Sequence, residues 1–182
     1  YENIDVERLK ALLERYVKNK LLLKLVYALI DVFEIGLSIG SFLSQYLANF
    51  FMSFAYHFAN EQLFKIRKKK DGSKNRVRVV SKVLIYMDDI LFFGTSLKDL
   101  KMGVKKFKDW VYDKLHITIK PDDKYIDLQT GYIDMMGFLI SREKVIVRPR
   151  IFRRFRRSIL KARCTGYVTK KQARTIISRY GW

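Results

Sequence analysis

The sequence predicts an α+β domain, on three observations. Long stretches repeat apolar residues every three or four positions, the period of helices packed on a core. Between them lie short β-branched runs bounded by turn residues, as in antiparallel hairpins. The composition supports a packed interior: of 182 residues, 49% are hydrophobic and only eleven are Gly or Pro. The single cysteine, Cys164, offers neither a disulfide framework nor a cysteine zinc site and fits a reducing compartment. A chain of this size hides about 70% of its unfolded surface, so it needs no covalent staples.

Asp5 is placed to cap a first helix, with Ile4 and Leu9 spaced as a hydrophobic staple and Leu9, Leu12, Leu13, Tyr16 and Val17 along the helix. A second helix is expected over residues 19–33, through Leu21, Leu22, Leu25, Val26 and Leu29. Residues 36–40 read as a loop. Residues 35–59 carry no charge over 25 positions, long enough to consider a membrane span. Ser41, Ser44, Gln45, Asn49, Ser53 and Asn60 recur there at helical spacing, and with two glycines and His57 they predict a buried helix with one polar stripe.

Asp71-Gly72 reads as a hairpin turn, followed by a strand over 77–85 and a partner strand over 90–93. Ser96 and Asp99 open a further helix in the manner of a capping box, with Leu97, Leu100, Val104, Phe107, Val111 and Leu115 at helical spacing. Short strands are expected near 117–119, 125–128 and 133–140, and a last one at 145–147 after a turn at 141–144. Pro149 introduces an Arg-rich helix over 151–163, and Thr169, Gln172 and Ala173 begin a final helix. No segment repeats another. His57 and His116 lie far from other ligand types and read as packing or surface residues.

The charge is large and segregated. Thirty-seven Lys and Arg against eighteen Asp and Glu leave +19. Residues 61–82 hold nine basic and two acidic residues, and residues 142–179 hold fourteen basic and one acidic, so the rest of the chain is close to neutral. A run of like charge can be merely a solvated face. Two dense blocks of one sign point to a polyanionic partner. The chain opens on Tyr1 with no leader pattern, as a piece of a longer, cytoplasmic protein would.

Asp88 and Asp89 are adjacent between two apolar strands, with no basic residue within three positions. A bare Asp-Asp pair often does no more than suit a tight turn. An uncompensated acidic pair is also what a hard divalent cation relieves, and magnesium is held by one or two carboxylates plus substrate phosphates. In a chain built to attract phosphates, that pattern suggests two-metal phosphoryl transfer.

Tyr86-Met87-Asp88-Asp89 resembles the catalytic turn of reverse transcriptases. Gly36-Leu37-Ser38-Ile39-Gly40-Ser41-Phe42-Leu43-Ser44-Gln45 resembles the motif that precedes that turn in bacterial members. Its Ile-Gly-x-x-x-Ser-Gln form is most like diversity-generating retroelement enzymes and their unclassified bacterial relatives, within the wider diversity-generating retroelement and group II intron-related class, with Ser38 in place of the usual proline. Residues 115–124, ending in Lys120-Pro121-Asp122-Asp123-Lys124, are similar to the next family segment. Asp134-Met135-Met136-Gly137-Phe138-Leu139 is similar to the hairpin that grips the primer end. The Arg-rich helix and Ser178-Arg179-Tyr180-Gly181-Trp182 resemble the start of the thumb. The resemblance therefore implies a polymerase palm over residues 1–148, a short antiparallel sheet packed on helices, and the helical start of the thumb over 149–182.

It implies as well an RNA-directed DNA polymerase that adds deoxynucleotides to a DNA or RNA primer on an RNA template. Two Mg²⁺ ions, replaceable by Mn²⁺, would be held by Asp88 and Asp89, and an accessory protein belongs among the partners; a membrane does not. Lys124 would protonate the leaving pyrophosphate or brace the triphosphate, with Lys120 as the fallback; the plainer reading is an ion pair with Asp122 or Asp123. Tyr86, Met87 and Gly137 would lie at the primer end. Gly40, Ser44 and Gln45 would face the nascent base pair, unless they make a helix–helix polar contact. Arg150, Arg153, Arg154, Arg156 and Arg157 would track the nucleic-acid backbone on a helix anchored by Phe152 and Phe155.

Tyr1 would screen the sugar 2′-hydroxyl of the incoming nucleotide. The resemblance puts the other metal-binding aspartate five residues before Tyr1, and the fingers before that, so the 182-residue piece is expected to be weak or inactive by itself. Two alternatives stand beside this reading. One is untemplated DNA synthesis in phage defence; the other is a non-catalytic RNA-binding module with a polymerase-like palm.

Overall fold

A computed structural model describes residues 3–32, 36–38, 41–86 and 89–180, without the side chains of 179 and 180. Its elements run α1 (Val6–Tyr16), α2 (Lys20–Ile30), α3 (Phe42–Glu61), β1 (Phe64–Lys68), β2 (Lys74–Arg78), β3 (Lys82–Tyr86) and β4 (Asp89–Phe93). They continue with α4 (Leu97–Leu115), β5 (Ile133–Met135), β6 (Phe138–Ile140), β7 (Val145–Val147), α5 (Pro149–Thr165) and α6 (Lys170–Tyr180). The strands pair antiparallel as β1-β2, β3-β4 and β5-β6-β7, so the α+β class holds. The chain divides into two compact units, Tyr1–Asp122 and Asp123–Trp182. The expected palm-to-thumb junction at 148/149 lies inside the second.

In the first unit, Asp5 caps α1 as expected: its Oδ1 accepts the Arg8 N–H at 3.0 Å, and Leu9 is fully buried. Asp5 Oδ2 also meets His116 Nδ1 at 2.8 Å. His116 ends α4 in the left-handed region at φ 56, so one carboxylate ties the start of α1 to the end of α4. The Arg8 N–H foremost, against some desolvation and with help from His116, holds the Asp5 carboxyl below its ordinary 3.8.

Helix α2 forms as expected, and of the apolar residues that mark it only Val26 faces the core. Leu21, Leu22, Leu25 and Leu29 are exposed, whereas Leu23, Val26, Tyr27 and Ile30 face the core. The helix is apolar around most of its circumference, so leucine spacing does not select a side. Polar ties on the opposite flank do: Tyr27 Oη donates to the Lys10 carbonyl at 3.0 Å, and Lys10 Nζ meets Asp31 at 2.7 Å.

Helices α3 and α4 form the centre of the core. Leu47, Phe51, Ala55 and Ala59 line one and Val104, Phe107, Val111 and Leu115 the other. Phe58 stacks on Trp110 at 4.5 Å and 9° between them. Helix α4 lies on β4 through Phe107, which meets Phe92 edge-on at 5.0 Å, and α3 lies on β3.

The single strand expected over 77–85 is two. β2 ends at Arg78, Val79 and Val80 both enter the core, and β3 begins at Lys82. Two consecutive inward residues break the alternation of a pleated strand. The backbone then changes partners: Val79 N–H donates to Leu63 O at 3.0 Å and Ser81 N–H to Phe93 O at 2.7 Å. Residues 117–119 are no strand; Ile117 and Ile119 are half-buried against the core with no ladder.

In the second unit, residues 125–128 are no strand either, because Asp127 turns the chain. Its Oδ1 accepts the Gln129 N–H and its carbonyl the Gly131 N–H, at 2.9 and 2.7 Å. The strand expected over 133–140 is a hairpin, β5 and β6. Met136 and Gly137 both take positive φ, 52 and 87, as a two-residue type I′ turn requires. Pro149 opens α5 as expected, and Thr169 with Gln172 forms a reciprocal capping box on α6, at 3.0 and 3.2 Å. No helix among the described residues is long and apolar enough to cross a membrane.

Candidate active site and nucleic-acid surfaces

The β3-β4 hairpin carries the acidic pair. β3 is apolar and β-branched, and Val83 is buried beneath it while Lys82 and Leu84 face out. The register places Tyr86 directly opposite Asp89, the last pair at this end of the ladder. Tyr86 and Asp89 are both exposed at this end of the hairpin. No described residue forms an ion pair or side-chain hydrogen bond with the Asp89 carboxylate. A carboxylate offers the oxygen donor that a hard divalent ion takes, and Asp89 is the one member of the acidic pair that the structure describes. Met87 and Asp88 lie outside the described residues, as do Tyr1 and Gly40.

On α3, in the same unit, Ser44 turns into the core and Gln45 into solvent, so the two do not share a face. Consecutive helical residues stand about 100° apart, and the edge of the buried face of α3 falls between these two. Ser44 is 3% exposed and is the one buried polar side chain among the described residues.

The second unit holds Lys124, Gly137 and the arginines. Lys124 is exposed in an irregular segment and is ion-paired with neither Asp122 nor Asp123. Lys120, in the first unit, is also exposed, and its carbonyl accepts from Lys108 Nζ at 3.0 Å. Gly137 is buried at the β5-β6 turn, and its carbonyl accepts the Arg148 N–H at 2.8 Å. The Arg148 guanidinium in turn grips Asp134 Oδ1, with Nε at 2.9 Å. Arg148 thereby fixes the start of α5 against the hairpin. Residues fourteen apart with no shared motif gave no sequence signal for that tie.

On α5, Arg150, Arg153, Arg154, Arg156 and Arg157 are all exposed, and none is ion-paired with a described residue. The half-buried side runs through Ile151, Phe155, Ser158, Ile159 and Ala162, at helical spacing, and α5 packs on α6. Phe155 is the anchor expected of it, whereas Phe152 is 56% exposed. Arg150, Arg153, Arg154 and Arg157 line the opposite face at spacings of three and four. Among the described residues no cluster of three or more His, Cys, Asp or Glu is gathered. No family model matches the chain, and no curated protein matches it.

Proposed function

We propose that this chain is the palm and the beginning of the thumb of a bacterial-type reverse transcriptase, the palm over residues 1–148 and the thumb from 149. The observation that carries the reading is the hairpin register. It sets an exposed Asp89, with no ion-pair partner among the described residues, opposite Tyr86 at the end of a largely apolar ribbon. An exposed carboxylate next to a second one in the sequence offers oxygen donors to a divalent cation that substrate phosphates help to hold.

Asp88 and Asp89 would hold Mg²⁺ or Mn²⁺, which polarises the primer hydroxyl and neutralises charge on the triphosphate. The chain's own residues do the positioning. Gln45 reaches the nascent base pair from the solvent side of α3. Tyr86 supports the primer end beside the acidic turn, and the buried Gly137 turn holds the hairpin that grips it. Lys124, exposed and without a carboxylate partner among the described residues, is available to brace the triphosphate or to protonate the departing pyrophosphate. The arginines of α5 track the backbone of the template–primer duplex, which keeps the reacting ends in line.

Thermal melting with and without 5 mM Mg²⁺, in the presence of a primer–template and deoxynucleotide, tests the metal site at a concentration of roughly the usual assay order. The expected result is a Mg²⁺-dependent rise in midpoint that Asp88→Asn, Asp89→Asn abolishes. Equal midpoints in both proteins, with nucleic-acid binding retained, would instead favour the non-catalytic RNA-binding module.

A further inference from the structure

The β1-β2 ribbon is not used by the site described above, yet it holds the first basic block. We infer that its open face is a binding surface for single-stranded nucleic acid, separate from the arginines of α5.

The register defines two faces. Lys65 opposite Val77 and Arg67 opposite Asn75 share one; Phe64 opposite Arg78, Ile66 opposite Arg76 and Lys68 opposite Lys74 share the other. The first face is tied down: Lys65, half-buried, is ion-paired with Asp99 at the start of α4, and Val77 is half-buried. The second face is open. Lys68, Lys74, Arg76 and Arg78 are exposed, and the loop adds Lys69 and Lys70. Among the described residues, Lys65–Asp99 is the only ion pair on the ribbon. Asp71 is occupied locally, accepting from both the N–H and the hydroxyl of Ser73 at 2.9 and 2.7 Å.

Two features select nucleic acid from other polyanions. Lys68 and Lys74 stand directly opposite each other, a like-charge pair that destabilises the ribbon until an anion bridges it. Between the cations lie seats for bases. Ile66 is 71% exposed, and the guanidinium of the exposed Arg76 lies 4.0 Å over the Phe64 ring. Bases stack on guanidinium planes and apolar side chains when they are unpaired, not within a duplex. A shallow open groove of about 440 Å³, lined by Gln62, Phe64, Ile66, Lys74, Asn75 and Arg76, runs beside them.

Any chain of +19 binds nucleic acid at low salt, so the test is charge-matched. Anisotropy of a labelled 12-nucleotide single-stranded RNA is titrated with the full chain across a range of salt. The ribbon variant Lys68→Gln, Lys74→Gln, Arg76→Gln, Arg78→Gln is compared with Lys24→Gln, Lys98→Gln, Lys105→Gln, Lys106→Gln, which removes the same charge from exposed helix positions. The ribbon variant is expected to lose at least about tenfold in affinity and about 2.8 from the slope of log K against log salt, at 0.7 per phosphate. The matched variant is expected to lose less than about threefold. Arg76→Lys, which keeps the charge but not the stacking plane, is expected to weaken single-stranded RNA and leave heparin unaffected.

Equal losses in the two charge-matched variants would overturn the inference. So would tighter binding of a duplex of the same length, or competition by poly-glutamate as effective as by unlabelled RNA. The inference is independent of the polymerase reading: Asp89→Asn leaves ribbon binding unchanged.

Discussion

Asp5 is the residue whose titration reaches furthest through the first unit. Its carboxyl lies below 3.8 in the folded chain, so the unfolded chain takes up the proton first as pH falls. The stability it contributes is complete above the unfolded value, shrinks as pH drops beneath 3.8, and is gone once the folded value is passed. Asp5→Ala is expected to cost about 1 kcal/mol at neutral pH through the lost cap, and to flatten the acid limb of a denaturation series below pH 3.8. Both effects are read from urea midpoints at stepped pH. The cap itself was legible, since Asp5 precedes an apolar helical pattern and Ile4 and Leu9 flank it. Its second bond, to His116, was not. Residues 111 apart meet only because α4 ends in a left-handed turn next to the start of α1. The Arg148–Asp134 tie escaped for the same reason.

Elements with a strong single periodicity read correctly, and those with an ambiguous one did not. α4 shows one apolar stripe and one cap, and the stripe is in place except for the exposed Leu97. Ser96 caps the helix, while the Asp99 carboxylate turns to Lys65 instead of closing the box. α2 is apolar on too many sides for spacing to decide, and its polar contacts choose the buried face. The Val79-Val80 step is invisible to an alternation rule because both residues are apolar whichever way the strand runs. At that step α4 approaches closely. A Cβ on Gly103 of α4 would stand 2.6 Å from Val80 Cγ2 and 3.1 Å from Val79 Cγ1. Gly103→Ala is therefore expected to destabilise by about 1–3 kcal/mol, despite the better helix propensity of alanine. Phe107→Ala, which empties a fully buried site beneath β4, is expected to cost about 3–5 kcal/mol. Thermal midpoints of the two variants check both figures. If Gly103→Ala melted above the wild type, the close approach of α4 to this step would be refuted.

At the scale of the whole chain, charge is sorted by position. The core helices α1 to α4 and the acidic hairpin belong to the nearly neutral part, while the ribbon and the α5-α6 pair carry the excess of Lys and Arg. That sorting was legible from the sequence as two basic blocks. What they are mounted on was less so: an anchored two-stranded ribbon in one unit and an amphipathic helix in the other. Attraction to phosphates would draw nucleic acid to such surfaces at a distance, and a metal at the acidic turn would give the phosphates a local function. The central claim is that this turn is catalytic. Primer extension on an RNA template with Mg²⁺ tests it most directly, using the chain extended upstream to include the second aspartate and fingers that the resemblance implies. Asp88→Asn, Asp89→Asn in the same protein is the control. The account predicts templated extension that disappears in the control. No extension by either protein, with RNA bound equally tightly by both, would contradict it.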